Sequence, residues 1–203
     1  MTYTLRLTGA PSDEPVSLVE AKGQLQVTHD DDDATITRLI KAARQYVETA
    51  TDRAMITQTW AASFAEWPKI STIEDDDFDY SQIVPSLQAA PYLDIVKLPF
   101  QSVESITADA TAWTAFTAVK TARGVRIKPT STVPSGEIVV TFKAGYGDAA
   151  ATVPSDIAHA ILMLVATLYD NRGALALDTS GMKAASGMVP GFAETINRYR
   201  VMV

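Results

Sequence analysis

The sequence predicts an α+β protein: a helical core of two N-terminal helices plus a long C-terminal helix, with an inserted antiparallel β region. Three observations carry this. Apolar residues recur at helical spacing from Ile36 to Ala50 and again from Ile157 to Leu168. Between these stretches lie short β-branched and aromatic runs, cut at hairpin spacing by Pro99, Gly124, Pro129, Pro134 and Gly136. The 203 residues are 47% hydrophobic and 20% charged, an ordinary globular composition. The implied divisions are 1–54 as the N-terminal helical part of the core, 55–150 as the β-rich insertion, 151–173 as the long core helix, and 174–203 as a flexible linker with a tail helix.

Residues 1–15 read as an irregular or extended lead-in, with Pro11 and Pro15 bracketing Ser12, Asp13 and Glu14. Ser17 and Glu20 have the spacing of a capping box, in which hydroxyl and carboxylate satisfy orphan amides at a helix start; Leu18, Ala21 and Leu25 then share a face. Gly23 costs this helix about 1 kcal/mol relative to alanine, so packing must hold it. His29 to Asp33 is a connector whose last aspartates open a second helix, Asp32 to Thr51. That helix places Ile36, Leu39, Ile40, Ala43, Val47 and Ala50 inside and Arg38, Lys41 and Arg44 outside.

From Ile56 to Trp60, and on through Phe64 and Trp67, the pattern is threonine-rich and aromatic, which suits a strand ending at Pro68. Glu74 to Asp79 has no periodicity and reads as a loop. Further strands are expected at Tyr92–Leu98, Ser102–Ala108, Trp113–Thr117, Val125–Lys128 and Ile138–Lys143. Pro154-Ser155-Asp156 opens the third helix, which runs to Asn171 or Arg172 before Gly173. Its residues Ile157 to Tyr169 are apolar on nearly every side, so it is either central or covered on its second face by a partner. Ile157, Ile161, Leu164 and Leu168 form the stripe assigned to the core and subunit interface. Residues 173–190, rich in Gly, Ala and Ser, read as mobile. A short helix is expected over Gly191–Tyr199, with Phe192, Ile196 and Tyr199 on one face.

The chain has no cysteine and two histidines, His29 and His159. This excludes a disulfide framework, a thiolate zinc site, an iron–sulfur cluster and a multi-histidine metal centre within one chain. No nucleophile elbow, P-loop or dinucleotide fingerprint is present, so no catalytic residue, metal ligand or cofactor is assigned. Asp30 to Asp33 lacks the alternating ligands, turn glycine and final glutamate of an EF-hand, and reads as helix-start carboxylates. With 24 acids in the chain, a chance carboxylate pair keeps a small carboxylate-dependent hydrolase as the enzymatic alternative. The start lacks the basic and apolar regions of a secretory signal, and the longest apolar run is too short for a bilayer. The expectation is a protein folded in the cytoplasm, with no membrane partner.

The acidity is local: residues 1–80 carry 15 acids and 7 bases, residues 81–203 carry 9 and 10. Such a balance opposes wrapping nucleic acid, whose phosphates are neutralised by Lys and Arg, yet suits a surface past which DNA slides without adhering. The one basic cluster is Lys120, Arg123, Arg126 and Lys128, and strand alternation puts Arg126 and Lys128 on one face. It reads as a solvated hairpin face, or as a contact for DNA backbone or an acidic partner.

Several segments, weak singly but specific as an ordered set, resemble one family. They are Glu14-Pro15-Val16-Ser17-Leu18-Val19-Glu20-Ala21-Lys22, Asp30 to Asp33 leading into Ile36 to Thr51, Ile56-Thr57-Gln58-Thr59-Trp60, and Leu98-Pro99 followed by Ser102-Val103-Glu104-Ser105-Ile106. Ala144-Gly145-Tyr146-Gly147, Val153-Pro154-Ser155-Asp156-Ile157 to Arg172, and Arg198-Tyr199-Arg200 complete the set. The chain thereby resembles the head-tail connector, or adaptor, proteins of tailed bacteriophages and gene transfer agents. The resemblance implies a homo-oligomeric ring, usually of twelve copies, in the particle neck beneath the portal protein. It implies an extended DNA channel with DNA only as passing cargo, recruitment of a stopper or tail-completion protein, and neither enzymatic activity nor cofactor. It also implies that the terminus reaches the portal, which points to Phe192, Ile196, Arg198, Tyr199 and Arg200 as the portal-binding set. Another phage neck or tail-completion protein is the alternative.

Overall fold

The structure, a computed structural model, describes residues 3–68, 92–172 and 179–201. The chain divides into two compact units. One is drawn from Met1–Thr8, Thr59–Val96 and Phe100–Lys143, the other from Gly9–Gln58, Lys97–Pro99 and Ala144–Val203. Among the described residues the regular structure of the first is β and that of the second mostly helical, so the α+β class holds. The expected loop Glu74 to Asp79 lies outside the described residues.

The strands among the described residues are β1 (Thr4–Gly9), β2 (Gln58–Phe64), β3 (Leu93–Val96), β4 (Phe100–Ala108), β5 (Thr111–Ala112), β6 (Phe116–Thr121), β7 (Gly124–Pro129) and β8 (Ile138–Ala144). They form a five-stranded sheet in the order β1-β2-β8-β4-β5 and a three-stranded sheet in the order β3-β7-β6. The lead-in is thus extended from Thr4 and supplies an outer strand. In β8 the period of two is complete: Ile138, Val140, Phe142 and Ala144 are buried, while Val139, Thr141 and Lys143 between them are half-buried. In the smaller antiparallel sheet Leu93 pairs with Ile127 and Ile95 with Val125, all four fully buried.

The expected strand Trp113–Thr117 is not one strand. Ala108 pairs with Thr111 across the two-residue turn Asp109-Ala110, β5 ends at Ala112, and β6 begins only at Phe116. The aromatic residues that suggest a strand there pack on one another instead: the Trp113 ring meets Trp67 edge-on at 5.2 Å and lies 5.9 Å from Phe116.

Among the described residues there are five α-helices, where the sequence suggests two plus one and a tail. They are α1 (Leu18–Leu25), α2 (Asp33–Thr51), α3 (Ser155–Asp170), α4 (Thr179–Met188) and α5 (Phe192–Tyr199). The capping box forms: the Ser17 N–H donates to Glu20 Oε2 at 2.8 Å and the Glu20 N–H to Ser17 Oγ at 3.2 Å. The Ser17 N–H and the Ser17 hydroxyl, which donates to the same oxygen at 2.7 Å, hold the Glu20 carboxyl below its ordinary value. Helix α3 touches α1, α2, α4 and α5, and Ile157, Ile161, Leu164 and Leu168 are all buried. Its apolar surround is therefore used inside the chain. Helix α4 lies in the segment read as mobile from its Gly, Ala and Ser content. Its apolar residues Met182 and Ala185, and Val189 just past its end, are buried in the helical core.

Within the helical unit three strands of chain run side by side. The Ala54 N–H donates to the Leu98 carbonyl at 2.8 Å, the Gly145 N–H to Pro99 at 2.8 Å, the Tyr146 N–H to Met55 at 3.1 Å and the Thr57 N–H to Gly147 at 2.9 Å. A side chain on Gly145 would stand 2.6 Å from the backbone of Ile56 and Thr57, and its φ of 148° is one that residues with a Cβ rarely adopt. The quoted Gly-Tyr-Gly and Leu-Pro segments are thus packing requirements.

Two backbone sites give opposite expectations. Gly145→Ala should destabilise the protein by about 3 kcal/mol or prevent folding, since both clash and φ oppose it. Ala110 sits at φ 63° and Asp109 at φ 44° in a two-residue hairpin turn, a geometry that favours Asp-Gly. Ala110→Gly should stabilise by about 1 kcal/mol, and the urea midpoints of the two variants against the parent check both signs.

Candidate assembly surfaces

The most deeply buried charge is Arg44, 4% exposed, where the sequence reading places it outside. Position 44 continues the Ile36, Ile40 stripe one turn on and precedes Val47 by three; the charge, not the spacing, suggests solvent. Burial is tolerated because both sides of the guanidinium are met. Nε donates to Glu14 Oε2 at 2.6 Å and Nη1 to Glu48 Oε2 at 2.6 Å, with Nη2 reaching Glu14 Oε1 at 3.3 Å. Glu48 Oε1 in turn accepts the Met55 N–H at 2.9 Å and Gln58 Nε2 at 2.7 Å. Burial pushes the Glu48 carboxyl up, only partly opposed by Arg44 and these donors. Burial alone would lower Arg44, but its hydrogen bond to Glu14 and the charge of Glu48 outweigh it and raise it.

The C-terminal residues assigned to portal binding divide by exposure. Phe192 and Ile196 are buried in their own helical core, with the Phe192 ring stacked on Tyr46 at 6.2 Å. The Tyr199 hydroxyl donates to both Asp156 oxygens at 2.9 and 3.0 Å, and Arg53 Nε donates to the Tyr199 carbonyl at 2.5 Å. Burial and the Asp156 carboxylate hold the Tyr199 phenol above its ordinary value. Arg198 reaches Asp156 at 3.3 Å with most of its side chain in solvent, and Arg200 is exposed. The set is contiguous in space, but its apolar half faces inward and its basic half outward.

The acidic connector before α2 is held by local partners. Lys22 Nζ lies 2.7 Å from Asp30 and from Asp33, and the Tyr169 hydroxyl donates to Asp32. Among the described residues no group of three or more metal-ligating side chains converges. His159 is exposed on α3, as its place off the apolar stripe predicts.

In the sheet unit the basic cluster Lys120, Arg123, Arg126 and Lys128 sits on the β6–β7 hairpin. Asp94 lies directly across from Arg126, and the two share a two-point ion pair at 2.8 and 2.8 Å, with the guanidinium 3.8 Å from the centre of the Tyr92 ring. Lys120, Arg123 and Lys128 are exposed.

Buried ion pairs thus hold elements of the helical unit together, and both units present basic groups outward. A family model described as "Phage gp6-like head-tail connector protein" matches residues 15–115. The chain belongs to this head-tail connector family and is a structural connector rather than an enzyme. No curated protein is similar enough to count as a relative. Among solved structures, the fold is shared with a chain from the neck of an empty gene transfer agent particle computed with C6 symmetry. That chain is 20% identical, with 98% of this chain and 96% of the other covered and a TM-score of 0.70. A chain from the virion of a native gene transfer agent particle is 21% identical over the same shares at 0.67. One from the neck of a native particle computed with C12 symmetry is 19% identical, again over the same shares and at 0.67.

Arg44→Ala should cost about 3 to 5 kcal/mol, because it strands two partly buried carboxylates. Glu48 also sets a pH dependence. Its folded pKa lies above the ordinary 4.5, so its contribution is fully present below that value and is lost as pH rises through the folded pKa. The stability of the parent relative to Glu48→Gln should therefore fall as pH rises from 4.5 towards neutrality, checked by denaturant unfolding of both proteins across that window.

Proposed function

We propose that the protein assembles as a ring in the neck of a tailed phage or gene transfer agent particle. There it docks on the portal protein, lengthens the DNA channel and offers a platform to the next stopper or tail-completion component. The observation that carries this reading is the family match, supported by the likeness over nearly the full chain to proteins whose particles' necks have C6 or C12 symmetry. Subunits in such a ring meet through unlike faces, each copy's leading face on its neighbour's trailing face. The net charge of −7 favours a conduit: acids along a channel repel phosphate, so DNA passes without adhering.

The portal contact falls to the C-terminal end. Phe192, Ile196 and Tyr199 hold α5 on its own helical core, and Arg198 and Arg200 offer charge outward to an acidic groove on the portal. Localisation by electron microscopy of intact particles tests the placement; density for this chain outside the neck overturns it. Arg198→Glu with Arg200→Glu should leave the subunit folded, since exposed ion pairs contribute at most about 1 kcal/mol. Attachment to portal-containing heads should weaken about tenfold or more, equivalent to ~1.4 kcal/mol. Normal attachment by that variant removes the terminus from the portal contact.

A further inference from the structure

We propose that the turn and outer strand of the β6–β7 hairpin form a basic knob that docks on an acidic surface of a second copy of this chain, so that subunits of the ring are joined by charge. The inference rests on the ring reading and says which surface makes the joint. From Ala110 to Gly136 the chain has four bases and no acid, within a protein of net charge −7. Of the four, Arg126 is already neutralised by Asp94, which leaves Lys120, Arg123 and Lys128.

The pairing register decides how these three are presented. Val119 lies across from Arg126 and Lys120 across from Val125, so Lys120 and Lys128 stand on opposite faces of the hairpin, with Arg123 at its turn. Cations on both faces and at the tip do not form a stripe that could track a phosphate backbone. The face that carries Lys120 also carries the buried Val125 and Ile127, so the cations reach solvent from the outer strand, the turn and the outer face, and they match an acidic surface met edge-on. Val119, 42% exposed beside them on the outer strand, adds apolar contact. A half-open cleft of about 360 Å³, lined by Asp94, Val96, Thr121, Ala122, Arg123 and Arg126, lies at the hairpin's end and can take an entering side chain. The ring supplies the complement from the same sequence: residues 13–33 carry seven acids and one lysine, so acid stays in excess after Lys22 pairs with Asp30 and Asp33, and Asp13, Glu20 and Asp31 are exposed. Like charges facing one another would oppose closure; unlike ones fix the order of neighbours.

The chain has no cysteine, so Ala122→Cys places a single thiol at the exposed turn. Labelled there with a photo-crosslinker, an equal mixture of nitrogen-15 and unlabelled subunits is assembled on portal-containing heads, irradiated and mapped by mass spectrometry. Links between differently labelled copies that end within residues 13–33 are expected. Lys120→Glu/Arg123→Glu/Lys128→Glu should keep the parent's circular dichroism and melting temperature yet lower ring occupancy on heads at least tenfold at low salt. Links only within one copy, or to portal, tail protein or DNA, overturn the proposal while leaving the ring reading intact, as does full ring occupancy by the triple variant. Failure of the parent itself to form a ring on heads overturns both.

Discussion

The helical unit is organised around one buried guanidinium. Arg44 leaves water only because Glu14 on the lead-in and Glu48 one turn along α2 meet it from two sides. Glu48 then spends its second oxygen on the Met55 amide and the Gln58 side chain. One charge cluster thereby sets where the chain enters α1, how α2 is faced, and where the backbone turns after α2. Removing any one member leaves the others desolvated, a larger penalty than the loss of a surface pair. Specific geometry here comes from polar groups; apolar contact supplies the bulk of the burial around them.

The second constraint is steric. The three side-by-side chain segments of the helical unit approach so closely at Gly145 that no Cβ fits between them. Lys97, 6% exposed, joins this layer through Asp52 at 3.0 Å. Around it α3 serves as the shared wall for the other four helices, which accounts for a helix with so little polar surface. The C-terminal helices close this wall: Tyr46 stacks on Phe192 and exchanges a hydrogen bond of 3.0 Å with Ser186, while the Val201 N–H donates to the Thr51 carbonyl at 3.1 Å.

A connector needs no catalytic constellation, so its working parts are surfaces, and surfaces are hard to read in a sequence. The hairpin cations are visible there as a cluster, yet their division between two faces follows from strand register and from the ion pair that removes Arg126 from service. The basic end of the chain is equally visible; that Phe192 and Ile196 face the core while Arg198 and Arg200 face solvent follows from what α5 packs against.

Local rules determined a good deal by themselves. The capping box at Ser17 and Glu20, the stripe through α2, the extent of α3, the alternation in β8 and the α+β class follow from hydrogen-bonding needs and periodicities of 3.6 and 2 that neighbouring residues express directly. Tertiary structure alone decided the rest. It buried Arg44, whose carboxylate partners lie 30 residues before it and 4 after. It ordered α4 through Met182, Ala185 and Val189, whose apolar area is too small to hold a helix without the core they enter. It made β1 from the lead-in and broke the Trp113 region between β5 and β6. Each of these involves a partner distant in sequence, Glu14 for Arg44, the helical core for α4, β2 for β1 and Trp67 for Trp113, and contact free energy that arises only after the chain has folded overrides local preference.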